Sequence, residues 1–228
     1  MSAHLTREIE SLKKRMLHLC AVVEENLHKA VSAIQKRDTA LAEAVVNKDV
    51  EIDALEVETE EDCLKILALY QPVATDLRFI VSALKINNDL ERIGDLSVSI
   101  AKQVCHLALA PSVALPAELW DMTDKVRIML KNSLDALVNL DTELAKQVCL
   151  MDKEIDALNK QAVEHVRKKM EGAAPEHLDA LIRIILTARQ LERIGDHATN
   201  IAEDIIYMIN GDIVRHKIAK KTEPLSPA

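Results

Sequence analysis

Leu90–Asp95 reads LERIGD, and Leu191–Asp196 reads LERIGD again, 101 residues further on. A second pair of words frames the first. EIDAL occupies Glu51–Leu55 and returns at Glu154–Leu158, and the Asp38-Thr39 step returns at Asp141-Thr142, both at an offset of 103. Self-similarity of this kind is the signature of a duplicated structural unit. The two-residue difference in offset falls between EIDAL and LERIGD, where a turn absorbs a change of length at little cost.

The composition says what the unit is made of. The 228 residues include only 4 Gly and 6 Pro, aromatics amount to 2%, and Ala, Leu, Ile, Glu and Lys dominate. Unbranched side chains lose little rotamer freedom in a helix, so such a chain favours helix throughout. Apolar residues recur at spacings of three and four, as in Leu77, Ile80, Val81, Leu84 and in Leu178, Leu181, Ile182, Ile185. That is helical periodicity without strand alternation. Prolines at 72, 111, 116 and 175 and N-cap aspartates at 38 and 141 divide the chain. The spacing predicts six helices over 5–37, 39–70, 73–109, 117–140, 142–171 and 176–210. The expected fold is all-α, a tandem repeat of two three-helix bundles over 1–110 and 117–212. A basic, proline-containing tail over 213–228 is expected to be disordered.

Charge and length exclude several function classes. Lys and Arg total 29 against 37 Asp and Glu, a net charge of −8. That balance repels nucleic acid, and few aromatics exist for bases to stack on. No apolar run approaches the ~18 residues of a spanning helix, so direct membrane insertion is not expected. The polar N-terminus lacks the apolar core of a signal peptide, which points to the cytoplasm. Cys20, Cys63, Cys105 and Cys149 form no CxxC pair and read as small buried hydrophobes in a reducing compartment.

The chemistry sits in the repeated words. Asp49 and Asp53 lie four apart, as do Glu91 and Asp95. If helices two and three fold back at Pro72, the two pairs stand level, because their common midpoint is residue 72. In the second half Asp152 and Asp156 stand level with Glu192 and Asp196 about a midpoint of 174, between Gly172 and Pro175. Residues four apart share a helical face, and like charges there repel. Two such pairs meeting across a hairpin raise one another's pKa values, and a cation relieves the repulsion. Oxygen-only donors suit hard ions, and clustered carboxylates also hold iron. The competing reading is an ordinary solvated acidic face. Gly94 and Gly195, in mid-helix where glycine costs ~1 kcal/mol, allow a tight helix crossing, ions between the carboxylates, or both. His197, Asn200 and Glu203 are further candidates at the second cluster, where the first half has Leu96, Ser99 and Lys102. Glu25 and His28 form a lone ExxH, whereas ferritin-like di-iron bundles need two.

The doubled LERIGD, each copy preceded by KDVEIDALE or MDKEIDALN, resembles the PhoU family, accessory proteins of bacterial phosphate-specific transport. QPVATDLR at Gln71–Arg78 resembles that family's first hairpin turn; the second half has EHLDALIR instead. The resemblance implies two three-helix bundles whose E(D)xxxD motifs bind multinuclear metal clusters. By position these are Asp49, Asp53, Glu91 and Asp95, and Asp152, Asp156, Glu192 and Asp196. Iron, zinc, magnesium and manganese are all compatible. It further implies a negative regulator of the phosphate-starvation response. Such a protein acts between the ATPase subunit of the phosphate ABC transporter and a PhoR-type sensor histidine kinase, and is not itself an enzyme. A homodimer is expected. Two other readings compete: a metal-dependent all-α pyrophosphohydrolase, whose motifs use a spacing of three, and a purely structural helical scaffold.

Overall fold

In a computed structural model describing residues 3–213, the chain forms six helices: α1 Ala3–Lys36, α2 Thr39–Tyr70, α3 Ala74–Leu109, α4 Ala117–Asn139, α5 Thr142–Met170 and α6 Pro175–Asn210. Every boundary falls within two residues of the range expected from sequence, and the described residues contain no strand. The expected tail lies, but for Ile213, outside the described residues.

Local chemistry explains where the helices begin and end. Asp38 and Asp141 take extended backbone and cap the helices that follow. Asp38 Oδ1 accepts from Leu41 N at 3.1 Å, and Asp141 Oδ1 accepts from Glu143 N and Leu144 N at 2.9 and 3.0 Å. Each such cap is worth ~1 kcal/mol, because it satisfies an otherwise orphaned N–H. At the end of α6, Gly211 turns left-handed at φ 79°, and its N–H donates to the Tyr207 carbonyl at 2.8 Å. Pro175 opens α6 at a position where no N–H is missed.

Helices α1, α2 and α3 pack against one another, and α4, α5 and α6 repeat the arrangement. The two bundles join mainly along α3 and α6, with α1 meeting α4 beside that seam. Lys85 reaches Asp204, Asp89 reaches His197, and Gln103 reaches Arg183. Numbers rising on α3 while falling on α6 make the seam antiparallel, with the two LERIGD segments near its centre. One aliphatic core runs through both halves, including Leu12, Leu19, Ile52, Ile86, Leu90 and Ile93 from the first and Met122, Ile155, Leu191 and Ile194 from the second. Burying each such side chain contributes ~1.5–3 kcal/mol. The tandem all-α repeat expected from the sequence is the fold observed.

Candidate metal centres

Ile52 of α2 lies against Gly94 of α3. A Cβ built on Gly94 would stand 3.2 Å from both Cδ1 and Cγ2 of Ile52, and 3.6 Å from Asp49 Oδ1. The second repeat copies the crossing, with Gly195 against Ile155 and a built Cβ 3.4 Å from Ile155 Cγ2. Both isoleucines are buried, at 0% and 1% exposure. The glycines therefore serve the tight crossing. They also bring the acids on either side of each isoleucine up against the acids of the facing helix.

In the first repeat the structure assembles Asp49, Asp53, Glu91 and Asp95. Burial raises the Asp49 carboxyl above its ordinary value, and the charges of Asp53 and Asp95 raise it further. Burial is also the largest cause of the rise at Glu91, followed by Asp95. Asp49 Oδ1 and Glu91 Oε2 are buried and accept no hydrogen bond. Two cations stand at the rim. Arg92 donates to Asp95 Oδ2 at 3.2 Å and lies 3.3 Å from Glu91 Oε2, and Lys102 acts on Asp49 through its charge.

In the second repeat the structure assembles Asp152, Asp156, Glu192 and Asp196. Burial raises Asp152, and Asp156 adds to it, while a hydrogen bond from Thr199 Oγ1 at 3.2 Å opposes the rise. Burial again leads at Glu192, with Asp156 and Asp152 behind it. Asp196 is pushed up to about 6, by burial first and then by Glu192, Asp152 and Asp156.

Among the described residues no group of three or more His, Cys, Asp or Glu side chains is already arranged to hold a metal ion. The first half offers two desolvated carboxylates, Asp49 and Glu91, in the field of Asp53 and Asp95, and the second offers three, Asp152, Glu192 and Asp196, in the field of Asp156. Oxygen donors of this kind suit a hard cation. Asp49 Oδ1, a buried acceptor without a donor, fits such a group, since an unpaired buried acceptor is costly.

Two features lie beyond the spacing argument. Glu56 is a fifth acid of the first cluster. Burial raises its carboxyl, followed by Glu60 and Asp53, and Asn87 Nδ2 donates to its Oε1 at 3.2 Å. The spacing 49, 53, 56 continues one helical face and is the signal that could have found it. Its counterpart in the second half is Asn159, so the repeat hides it. Asp89, 9% exposed, lies 2.8 Å from His197 Nδ1 and accepts from Asn200 Nδ2 at 3.3 Å. Both α6 side chains thus reach across the seam to α3, and neither is given over solely to the carboxylates of its own half. Glu203 makes its mark near Cys149, whose thiol is pushed up to about 12 by burial first and then by Glu203 and Asp152. Cys20 and Cys63 are buried, as expected, while Cys105 and Cys149 are only half-buried. Glu25 lies 2.7 Å from Lys29, and with His28 it lines a groove of about 580 Å³ beside α4, away from both clusters.

Comparisons with known proteins bear on the family and the fold. The PhoU domain matches twice, over residues 16–104 and 119–205. A Pseudomonas putida protein named a phosphate-specific transport system accessory protein PhoU homolog is 38% identical over 225 residues, covering 97% of this chain and 86% of its own length. A Clostridium acetobutylicum protein of the same name is 35% identical, covering 90% and 93%. The crystal structure of PhoU from Pseudomonas aeruginosa superposes with a TM-score of 0.87 at 36% identity, covering 91% of this chain and 99% of that one. The phosphate transport system regulatory protein PhoU from Streptococcus pneumoniae gives 0.85 at 28% identity, over 92% and 99%. No helix among the described residues is long and apolar enough to cross a membrane. With its family domain matched in both halves and its fold shared along nearly its whole length, this chain belongs to the PhoU family.

Proposed function

We propose that this protein is a cytoplasmic, metal-binding adaptor that restrains the phosphate-starvation response when phosphate is plentiful. It would stand between the ATPase subunit of the phosphate ABC transporter and a PhoR-type sensor histidine kinase. The observation that carries the reading is the doubled carboxylate cluster, built on facing helices around two equivalent glycine crossings. Relatives named as accessory and regulatory proteins of phosphate transport support a regulatory rather than a catalytic role.

The residues that would hold the ions are Asp49, Asp53, Glu91 and Asp95 in the first half and Asp152, Asp156, Glu192 and Asp196 in the second. Iron, zinc, magnesium or manganese would supply positive charge there, cancelling the repulsion among the acids. The chain's own part is positional. Ile52 against Gly94 and Ile155 against Gly195 set the distance between the facing rows of carboxylates. The Asp89–His197 contact links the first LERIGD helix to the second, so the two clusters keep a fixed relation.

Deleting the gene is expected to make phosphate-starvation genes constitutive. Normal repression in the deletion strain would reject the regulatory role. Complementation with Asp53→Ala/Glu91→Ala/Asp156→Ala/Glu192→Ala separates the two parts of the proposal. Failure to restore repression, with lowered metal content in the purified variant, supports the metal-dependent adaptor. Full repression by a folded, metal-poor variant rejects the role of the ions while leaving the regulator standing.

A further inference from the structure

The repeats share a fold but differ on their outer surfaces. On α2, Val50, Ala54, Val57, Glu61, Leu64 and Ala68 recur at alternating spacings of four and three. That is the heptad pattern by which one helix meets another along a seam. Val50, Val57 and Leu64 are 73%, 50% and 52% exposed, and both alanines lie at the surface. The buried stripe of α2 is a different set, Ala42, Val45, Ile52, Thr59, Cys63 and Ile66, which packs on α1 and α3. The helix is therefore apolar on two faces, of which the fold uses one.

The second repeat supplies an internal control. At the offset of 103, the same surface of α5 carries Lys153, Ala157, Lys160, Glu164 and Arg167, with Glu171 at its C-cap. Arg167 lies 2.8 Å from Glu164 and 3.0 Å from Glu171. One fold tolerates charge at five of these six positions, so the apolar residues of α2 answer no demand of folding. An exposed apolar strip from Val50 to Ala68, ~27 Å at 1.5 Å per residue, marks an interaction site.

Charge selects the occupant. Helix α2 holds nine acids against two lysines, whereas α5 holds five acids against six Lys and Arg. Exposed Glu51 and Glu58 flank the strip on one side and exposed Glu60 on the other. A second copy of this chain would set those acids against their like, and an anionic surface would be repelled. We propose that the outer face of α2 is a docking strip for a cationic amphipathic helix of a partner protein, one with an apolar stripe flanked by Lys or Arg. Incoming cations meet only exposed ion pairs there, Lys48 with Glu51 at 2.7 Å and Arg15 with Glu58, and such pairs hold little. The strip does not depend on the carboxylate clusters and stands or falls without them.

The test uses the full chain and two synthetic helical peptides with leucine at the seam positions, one flanked by lysine and the other by glutamate. Fluorescence anisotropy is expected to show salt-sensitive binding of the lysine peptide, and at least roughly tenfold weaker binding of the glutamate peptide. Val57→Lys/Leu64→Arg, which copies the residues of the second repeat, is expected to weaken lysine-peptide binding by roughly tenfold or more. Its circular dichroism and Tm should stay unchanged. Val50→Lys, copying Lys153, serves if the double variant fails to fold. Equal binding of the two peptides, equal binding by the strip variants, or no binding by the wild type overturns the proposal. So does sedimentation showing self-association that the same substitutions abolish, which would give the strip to a second copy.

Discussion

The first carboxylate cluster is edged by Arg92 and Lys102, the second by Arg193, Arg189, Thr199 and His197. At pseudo-equivalent positions Lys102 corresponds to Glu203, Leu96 to His197 and Val98 to Thr199. What the two halves hold in common is the isoleucine–glycine crossing, the four acids around it and the arginine of each LERIGD, Arg92 and Arg193. Duplication has kept the parts that fix the distance between helices and one arginine beside each cluster, and has released the other side chains at the rim. The outer surfaces of α2 and α5 diverge in the same way. The difference teaches that the crossing is the conserved device of this fold and that its environment is adjustable, a view that perturbing both halves identically puts at risk.

The largest effect should be the one that does not distinguish the halves. Ile52→Ala and Ile155→Ala each remove a buried side chain facing a glycine, where no neighbouring Cβ can fill the space. Each is expected to cost about 2–5 kcal/mol in urea unfolding, with the two values within about 1 kcal/mol of each other. If only one variant lost stability on that scale, the two crossings would not be equivalent.

The next effect comes from protons and cations. Asp196 ionises near 3.8 when exposed and is pushed up to about 6 in the folded chain. Between those values the folded state keeps a proton that the unfolded state has lost. This group's contribution to stability is thus full below about 4 and is lost as the pH rises through about 6. Asp49, Glu56, Glu91, Asp152 and Glu192 are raised as well and act in the same direction. Chelator-treated protein is expected to melt higher at pH 5 than at pH 7, and Asp196→Asn should flatten that rise. Manganese at a hundredfold excess over its Kd should add about 2.7 kcal/mol at pH 7, and less at pH 5, where protons compete. A Tm that falls between pH 7 and pH 5, or a wild-type Tm that ignores manganese at pH 7, would break the account of the clusters.

How much of this the sequence disclosed depends on whether a feature was local or repeated. Helix boundaries were legible because Asp38, Asp141, Pro72 and Pro175 act within a few residues of themselves. The level of the facing acids was legible because a hairpin about Pro72 converts sequence distance into height. Gly94 and Gly195 were legible as a crossing through their helical context. Asp89 was not, since its partners His197 and Asn200 are 108 and 111 residues away on a helix of the other half, and no periodicity encodes that meeting. Glu56 escaped for the opposite reason: it extends a local pattern, but comparison of the repeats placed Asn159 against it and removed the signal.

The smallest effect is the sharpest test of the crossing itself. Replacing a mid-helix glycine by alanine gains up to about 1 kcal/mol in backbone terms, and that gain is the same in both repeats. What differs is the room for one carbon. At Gly195 the new Cβ would stand 3.4 Å from Ile155 Cγ2, an ordinary contact, so Gly195→Ala should stabilise by about 0.5–1 kcal/mol. At Gly94 it would stand 3.2 Å from two carbons of Ile52, one of them the branch at Cβ, which cannot swing away without turning the whole buried side chain. Crowding of that kind cancels the backbone gain, so Gly94→Ala should be neutral or destabilising by up to about 1 kcal/mol. Paired urea denaturation of the two variants measures the difference directly. Equal stabilisation by both would mean that α2 can retreat from α3 as readily as α5 from α6, and that the separation of the first cluster's acids is not fixed by Ile52.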